Sequence, residues 1–283
     1  MAARPHRTRS GRLWHGAYLT FCVLVFVFLI APLIVVVPLS FNAQPFFTFT
    51  EGMLRLEAAA YSLQWYRDIL ANDQWLLAIR NSVIIASCAT ALATVLGTLA
   101  AVGLSRPTMP LRGLVMTVLI SPMIIPIIIV SAGMYFFYSQ VGLAQTMLGI
   151  ILAHAVLGTP FVVITVTATM MNFDYSLTRA AASLGAPPLL TFFRVVLPLI
   201  LPGVVSGALF AFAASFDEVV VVQFLAAFDQ RTIPLQMWAG IREQISPTIL
   251  AVATLLIVVS ALILTAVELL RARVNNQRGV KTI

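Results

Sequence analysis

Apolar positions in this chain come as long uninterrupted runs, not as alternating or one-faced patterns. Five stretches without Asp, Glu, Lys or Arg occupy residues 13–50, 81–105, 113–173, 195–216 and 244–267. A helix that crosses a bilayer core needs about 20 mostly apolar residues, so each run can hold a span. The third, at 61 residues, is too long for one and divides at the polar turn Ser139-Gln140-Val141-Gly142. The pattern predicts an all-α polytopic membrane protein with six transmembrane helices, near 17–40, 80–104, 113–138, 144–171, 200–226 and 247–270. Pro160 is expected to kink the fourth by removing one backbone hydrogen bond.

Composition agrees and removes the soluble classes. Of 283 residues, 60% are hydrophobic and 10% charged, against roughly a quarter charged in soluble domains, and the mean hydropathy is +1.00. The formal charge of +7 does not indicate nucleic acid, because the basic residues lie between apolar runs and not on one solvated face. Six spans place both termini on one side of the membrane. That side carries twelve of the 17 basic residues, namely Arg4, Arg7, Arg9, Arg12, Arg106, Arg112, Arg179, Arg194, Arg271, Arg273, Arg278 and Lys281. Arg55, Arg67, Arg80, Arg231 and Arg242 fall on the other, so the positive-inside rule makes both termini cytoplasmic.

The expected organisation is a basic arm over 1–16, a six-span transmembrane domain over 17–270 with a cytoplasmic loop at 172–198, and a basic tail over 271–283. The first apolar run outlasts the roughly 7–15 residues of a secretion-signal core and has no small-residue cleavage site, so it is read as a retained anchor. The outward loop at 41–79 is rich in rings, including Phe46, Phe47, Phe49, Tyr61, Trp65, Tyr66 and Trp75. These suit an interfacial belt, a docking surface for an external partner, or both. Cys22 and Cys88 lie inside apolar runs, are read as small buried packing residues, and offer no disulfide or metal framework.

The loop between the fourth and fifth spans carries the informative spacing. Asp174 can cap a short helix, Leu177, Ala180, Ala181 and Leu184 recur at helical intervals, and Gly185 is a natural stop. A second short helix can start at Pro188 and run from Leu189 to Val196 until Pro198 interrupts it. The turns could simply pack on the ends of the spans, or their small apolar face could enter a partner's groove. Ala180-Ala181, three residues, Gly185, nine residues, Val195, one residue and Leu197-Pro198 resemble the EAA motif of ABC importer permeases. The stretches 215–221 and 232–242 are similar to those of the spermidine and putrescine branch.

The resemblance implies an inner-membrane permease subunit without a nucleotide site of its own. It implies a cytoplasmic ATPase dimer that uses ATP and Mg and grips the loop through Arg179, Ala180, Ala181, Gly185, Val195, Leu197 and Pro198. It also implies a second permease subunit, typically a paralogue, and a periplasmic solute-binding protein. Arg179 departs from the family, which usually has Glu there.

Asp217 and Glu218 interrupt an otherwise apolar stretch. A carboxylate at membrane depth is costly and tends to face a water-filled path, so both are candidates for contact with a cation in transit. The alternative is an interfacial carboxylate paired with Arg231 or Arg242. Neighbouring helical positions point about 100° apart, so the two do not share one path, and the resemblance implies Asp217, since the spermidine and putrescine branch most often carries Asp at that position. His154 has no second ligand at metal spacing and is read as a hydrogen-bonded packing residue. Hydrolase and zinc-protease motifs are missing, and a P-loop requires a lysine where the chain's single lysine is Lys281. Catalytic and metal sites are therefore not expected. The competing readings are a permease for ferric ion, an opine or an amino-acid-like solute, and an ATPase-independent channel or carrier, for which inverted repeats would be the sign.

Overall fold

A computed structural model describes residues 9–106, 108–171, 173–243 and 246–277. Arg4, Arg7, Arg278 and Lys281 of the basic termini lie outside the described residues, as do the side chains of Arg9, Arg12, Arg271 and Arg273. The helices are α1 (Arg9–Leu39), α2 (Glu51–Leu54), α3 (Gln64–Ala71), α4 (Asp73–Leu104), α5 (Arg112–Ile124), α6 (Ile127–Val141), α7 (Met147–Met170), α8 (Ser176–Ser183), α9 (Pro188–Thr191), α10 (Leu197–Phe216), α11 (Val220–Leu225), α12 (Ile233–Glu243) and α13 (Thr248–Gln277). Among the described residues the only β pairing is an isolated bridge between Asn42 and Tyr61. Two compact units result, one from residues 1–71 with 240–283 and one from residues 72–239.

In the first unit α1 runs into a small folded loop. Buried Asn42 organises it, donating to the carbonyls of Phe46 and Thr48 while its own carbonyl accepts from Trp65 Nε1 at 2.7 Å. Thr248 at the start of α13 donates to Asp68 at 2.8 Å. Phe46, Phe47 and Phe49 remain exposed.

The second unit is built on α4, α7 and α10. Its seams use small residues, since lipid offers helices no hydrophobic reason to associate and close backbone packing has to supply the attraction. Ala89, Ala93, Gly97 and Ala101 recur every fourth residue on α4, and Gly203, Gly207 and Ala211 do so on α10. A Cβ at Gly97 would stand 2.7 Å from Cβ of Val162, so α4 and α7 meet with no room for a side chain there. Ala93, Ala101, Val162, Val166, Ile200 and Ala211 form the buried core between the three helices.

Four helical stretches among the described residues are long and apolar enough to span: Leu13–Leu39, Asp73–Leu104, Met147–Met170 and Pro188–Phe216. Thr248–Leu262 is a shorter apolar helix. The reading of 113–138 as one straight span is corrected, because α5 and α6 meet at 103°. Pro126 has no N–H to continue α5, and its ring drives Ile125 out of the helical region to φ −73°, ψ 136°. The pair is a broken span or a re-entrant loop, so the structure gives four spans, or five with this pair counted as one.

Two other expectations change. The fifth span, expected over 200–226, ends at Phe216, and α11 is separate. Pro198 does not interrupt the helix it follows. Residues Phe192–Val196 form a π-helical turn, and the wider loop lets α9 pass into α10 although Pro198 has no N–H. Cys22 and Cys88 are exposed and not buried in the chain, because an apolar residue in a span can face lipid as well as protein. α7 continues through Pro160.

Candidate coupling segment and substrate path

The loop between α7 and α10 is fastened at its entrance. Tyr175 Oη donates to the carbonyl of Ser105 at the end of α4, at 2.7 Å across 70 positions of sequence. Phe173 packs edge-on against the Tyr175 ring at 5.3 Å. Asp174 then starts α8 by accepting from the Ser176 amide at 2.8 Å and its hydroxyl at 2.6 Å. These two bonds, the side-chain one first, hold the Asp174 carboxyl below the usual carboxylate range, and the Arg179 charge adds to the effect.

α8 stops as the sequence indicates. Gly185 has φ +80°, its amide donates to the Ala182 carbonyl at 2.9 Å, and Ala186 N donates to the Ala181 carbonyl at 3.0 Å. This is the two-bond Schellman closure, which wants a left-handed residue at that point. Arg179 and Ala180 are exposed, as are Gly185 and Pro198, while Ala181, Val195 and Leu197 are half-buried. The turns do not lie flat on the spans. A cavity of about 510 Å³, lined by Val102, Arg106, Met170, Tyr175 and Phe192 among others, separates α8 from the helix ends. Leu184, after α8, is 88% exposed and Leu189, at the start of the stretch that continues into α10, is 71% exposed, so the segment presents apolar side chains at its surface.

Asp217 and Glu218 lie at the other end of α10, roughly 28 Å from Pro198 by helical rise. They do not sit within a continuous helix. Asp217 closes α10, its amide bonded to the Ala213 carbonyl at 3.2 Å, and its side chain is exposed. Glu218 is committed elsewhere, since its Oε1 accepts from the Val221 amide at 2.9 Å and so caps α11. Pairing with arginine is not found among the described residues. Arg231 instead covers the Phe228 ring at 4.4 Å from its centroid. The structure therefore separates the two carboxylates by role and leaves Asp217 open.

His154 is buried and its Nδ1 lies 2.8 Å from Ser215 Oγ, joining α7 to the last turn of α10. Sequence reading missed the bonds that hold the end of this unit where α10 stops. Asn81 Nδ2 donates to the carbonyls of Asp229 and Arg231, at 2.8 and 3.0 Å. Ser82 Oγ accepts from the Ile233 amide at 2.8 Å. Gln145, a non-glycine residue at φ +57°, donates its amide to the Leu225 carbonyl and accepts from Gln230 Nε2, both at 2.9 Å. Only polar residues inside apolar runs marked Asn81 and Ser82, and nothing local marked their partners.

Comparison with known proteins decides the class. Residues 93–276 match the family described as binding-protein-dependent transport system inner membrane component. The chain belongs to that family. It is 32% identical to the putrescine transport system permease protein PotI of Escherichia coli over 264 residues, covering 90% of this chain and 91% of that one. It is 32% identical to the spermidine/putrescine transport system permease protein PotC of Haemophilus influenzae, covering 90% and 96%. Its fold is shared with a bacterial ABC transporter involved in the import of the polysaccharide alginate, with a TM-score of 0.74, 16% identity, and coverage of 94% of this chain and 99% of that one. The protein is thus an inner-membrane permease subunit of an ABC importer and not itself an enzyme. Its family works with a binding protein and a separate ATPase.

Proposed function

We propose that this permease carries polyamines, putrescine or spermidine, inward from a periplasmic binding protein, driven by a cytoplasmic ATPase dimer that grips α8 and the following turn. The observation that carries the substrate class is the 32% identity, over nine-tenths of the chain, to permeases named for these amines. The open carboxylate at Asp217 supports it. A protonated amine crossing a low-dielectric path needs its charge compensated, and the carbonyl end of α10 adds partial negative charge beside Asp217. The helix break matches the way discontinuous helices turn their C-terminal ends toward cations in transporters.

Asp217→Asn keeps shape and hydrogen bonding but removes the charge. Uptake of radiolabelled putrescine, in cells lacking other polyamine importers, should fall about tenfold or more in this variant at matched expression. Glu218→Gln should have the smaller effect on uptake. Full activity in Asp217→Asn would remove the carboxylate from the path.

On the ATPase side, exposed Leu184 and Leu189 supply apolar contact, and Arg179, in place of the usual Glu, supports the Asp174 cap and meets the ATPase through a carboxylate. The second subunit of the pair is a paralogue, and both termini are cytoplasmic. Orientation is checked by labelling single cysteines in intact cells, after Cys22 and Cys88 are replaced. Cysteines at Ala58 and Arg231 should react from outside, and those at Pro110 and Ala186 only after permeabilisation. Labelling of Ala186 from outside would overturn both the orientation and the coupling role.

A further inference from the structure

His154 on α7 of the second unit is a buried ionisable ring that neither coupling nor the carboxylate site uses. It is 1% exposed. Its Nδ1 meets Ser215 Oγ at 2.8 Å, while its Nε2 is buried without a hydrogen-bond partner. Whichever nitrogen carries the proton, one polar atom of the ring stays unmatched, a cost that an apolar side chain of the same size would avoid. Packing alone therefore does not account for a histidine at this position.

Ser215 makes its bond across helices and not along its own. Helical hydroxyls commonly bond back to the carbonyl one turn earlier, as Ser131, Thr159, Thr165 and Thr169 do here. Ser215 turns instead toward α7. It stands two residues before Asp217, in the turn where α10 ends. Below it the two helices are already in close contact, since a Cβ on Gly158 would lie 3.1 Å from Cβ of Ala211. The glycine seam fixes the distance between α7 and α10, and the His154–Ser215 bond fixes the rotation of the last turn.

We infer that His154 is a positioning residue that acts through Ser215 to aim the Asp217 carboxylate at the passing amine. The inference rests on the reading of Asp217 as the cation contact. His154 itself does not touch the solute. Its contribution is geometric, because an ion contact misplaced by about 1 Å loses much of its effect.

The two ring nitrogens allow a direct test. Asparagine places a polar group near the position of Nδ1, and glutamine places one near Nε2. The assay is the purified complex in proteoliposomes with saturating loaded binding protein, reading putrescine moved per ATP hydrolysed. His154→Gln and Ser215→Ala should each lower this ratio by about fivefold or more with ATPase turnover unchanged. His154→Asn should stay within about twofold of the unaltered complex. The double variant His154→Gln with Ser215→Ala should be no worse than either single one, as expected for two groups sharing one contact.

Equal loss in His154→Asn and His154→Gln, with ATPase activity falling in parallel, would show a packing role and overturn the inference. So would an unchanged ratio in Ser215→Ala, a small substitution that keeps the helix. Asp217→Asn in the same assay separates the failures. A lowered ratio there with a normal ratio in Ser215→Ala rejects His154 alone, and a normal ratio in Asp217→Asn rejects the carboxylate reading together with what rests on it.

Discussion

Gly185→Val should abolish uptake while the subunit still inserts and the ATPase still assembles with it. The cause is backbone conformation and not space, since a Cβ at this position meets nothing within 4 Å. With φ at +80°, a β-branched residue is forced toward extended backbone, because the left-handed region costs an ordinary L-residue about 1–2 kcal/mol and a branched one more. The bonds from Gly185 and Ala186 to the Ala182 and Ala181 carbonyls would be lost with it. The turn that leads from α8 to Pro188 would then be displaced, and in the coupling role proposed for it ATP hydrolysis would no longer move the helices. Gly185→Asn, which tolerates the left-handed region, should retain most uptake. The measurement is uptake at matched complex levels, and normal transport by Gly185→Val would remove the loop from the coupling mechanism.

A second large effect is expected at the seam of α7 and α10. A Cβ at Gly207 would press on the Thr165 hydroxyl and stand 2.8 Å from Cα of Val162. The second of these is backbone and cannot rotate away. Gly207→Val should separate α7 from α10 and open the core around Val162 and Ala211, at a cost well above the 1–3 kcal/mol typical of overpacking. The expected result is a subunit that is made but not recovered in the assembled complex after mild detergent extraction. Gly103→Val, at a position with nothing within 4 Å, serves as the comparison and should assemble. Equal recovery of the two variants would show that the seam is looser than the structure implies.

The capping chemistry of α8 was legible in the sequence because it is local. Asp174, Gly185 and Pro188 each act on the residues beside them, and the structure places a side-chain turn onto Ser176 just before the Tyr175 cap, a left-handed stop and a helix start there. The breaks were less legible. Both sides of Pro126 are apolar, so a bend of 103° leaves the apolar run intact. The same holds at Asp217, where valines continue after the carboxylates and hide the end of α10. One local sign was present there, since Glu218 stands three residues before Val221, a spacing that suits a helix cap. Contacts distant in sequence, such as Tyr175 with Ser105 or Asn81 with Asp229, have no signature in either partner alone. The exposed cysteines show a limit of another kind, because burial in lipid and burial in protein favour the same residue types.

If this chain forms part of an ATP-driven import path for polyamines, transport should be reconstituted by purifying it with its partner permease and ATPase, placing the complex in proteoliposomes with ATP on the cytoplasmic face, and supplying radiolabelled putrescine on its binding protein. Putrescine should then accumulate in a way that requires both ATP hydrolysis and the binding protein and that falls in Asp217→Asn. Accumulation without ATP, or ATP hydrolysis stimulated by the loaded binding protein with no polyamine crossing the membrane, would contradict it.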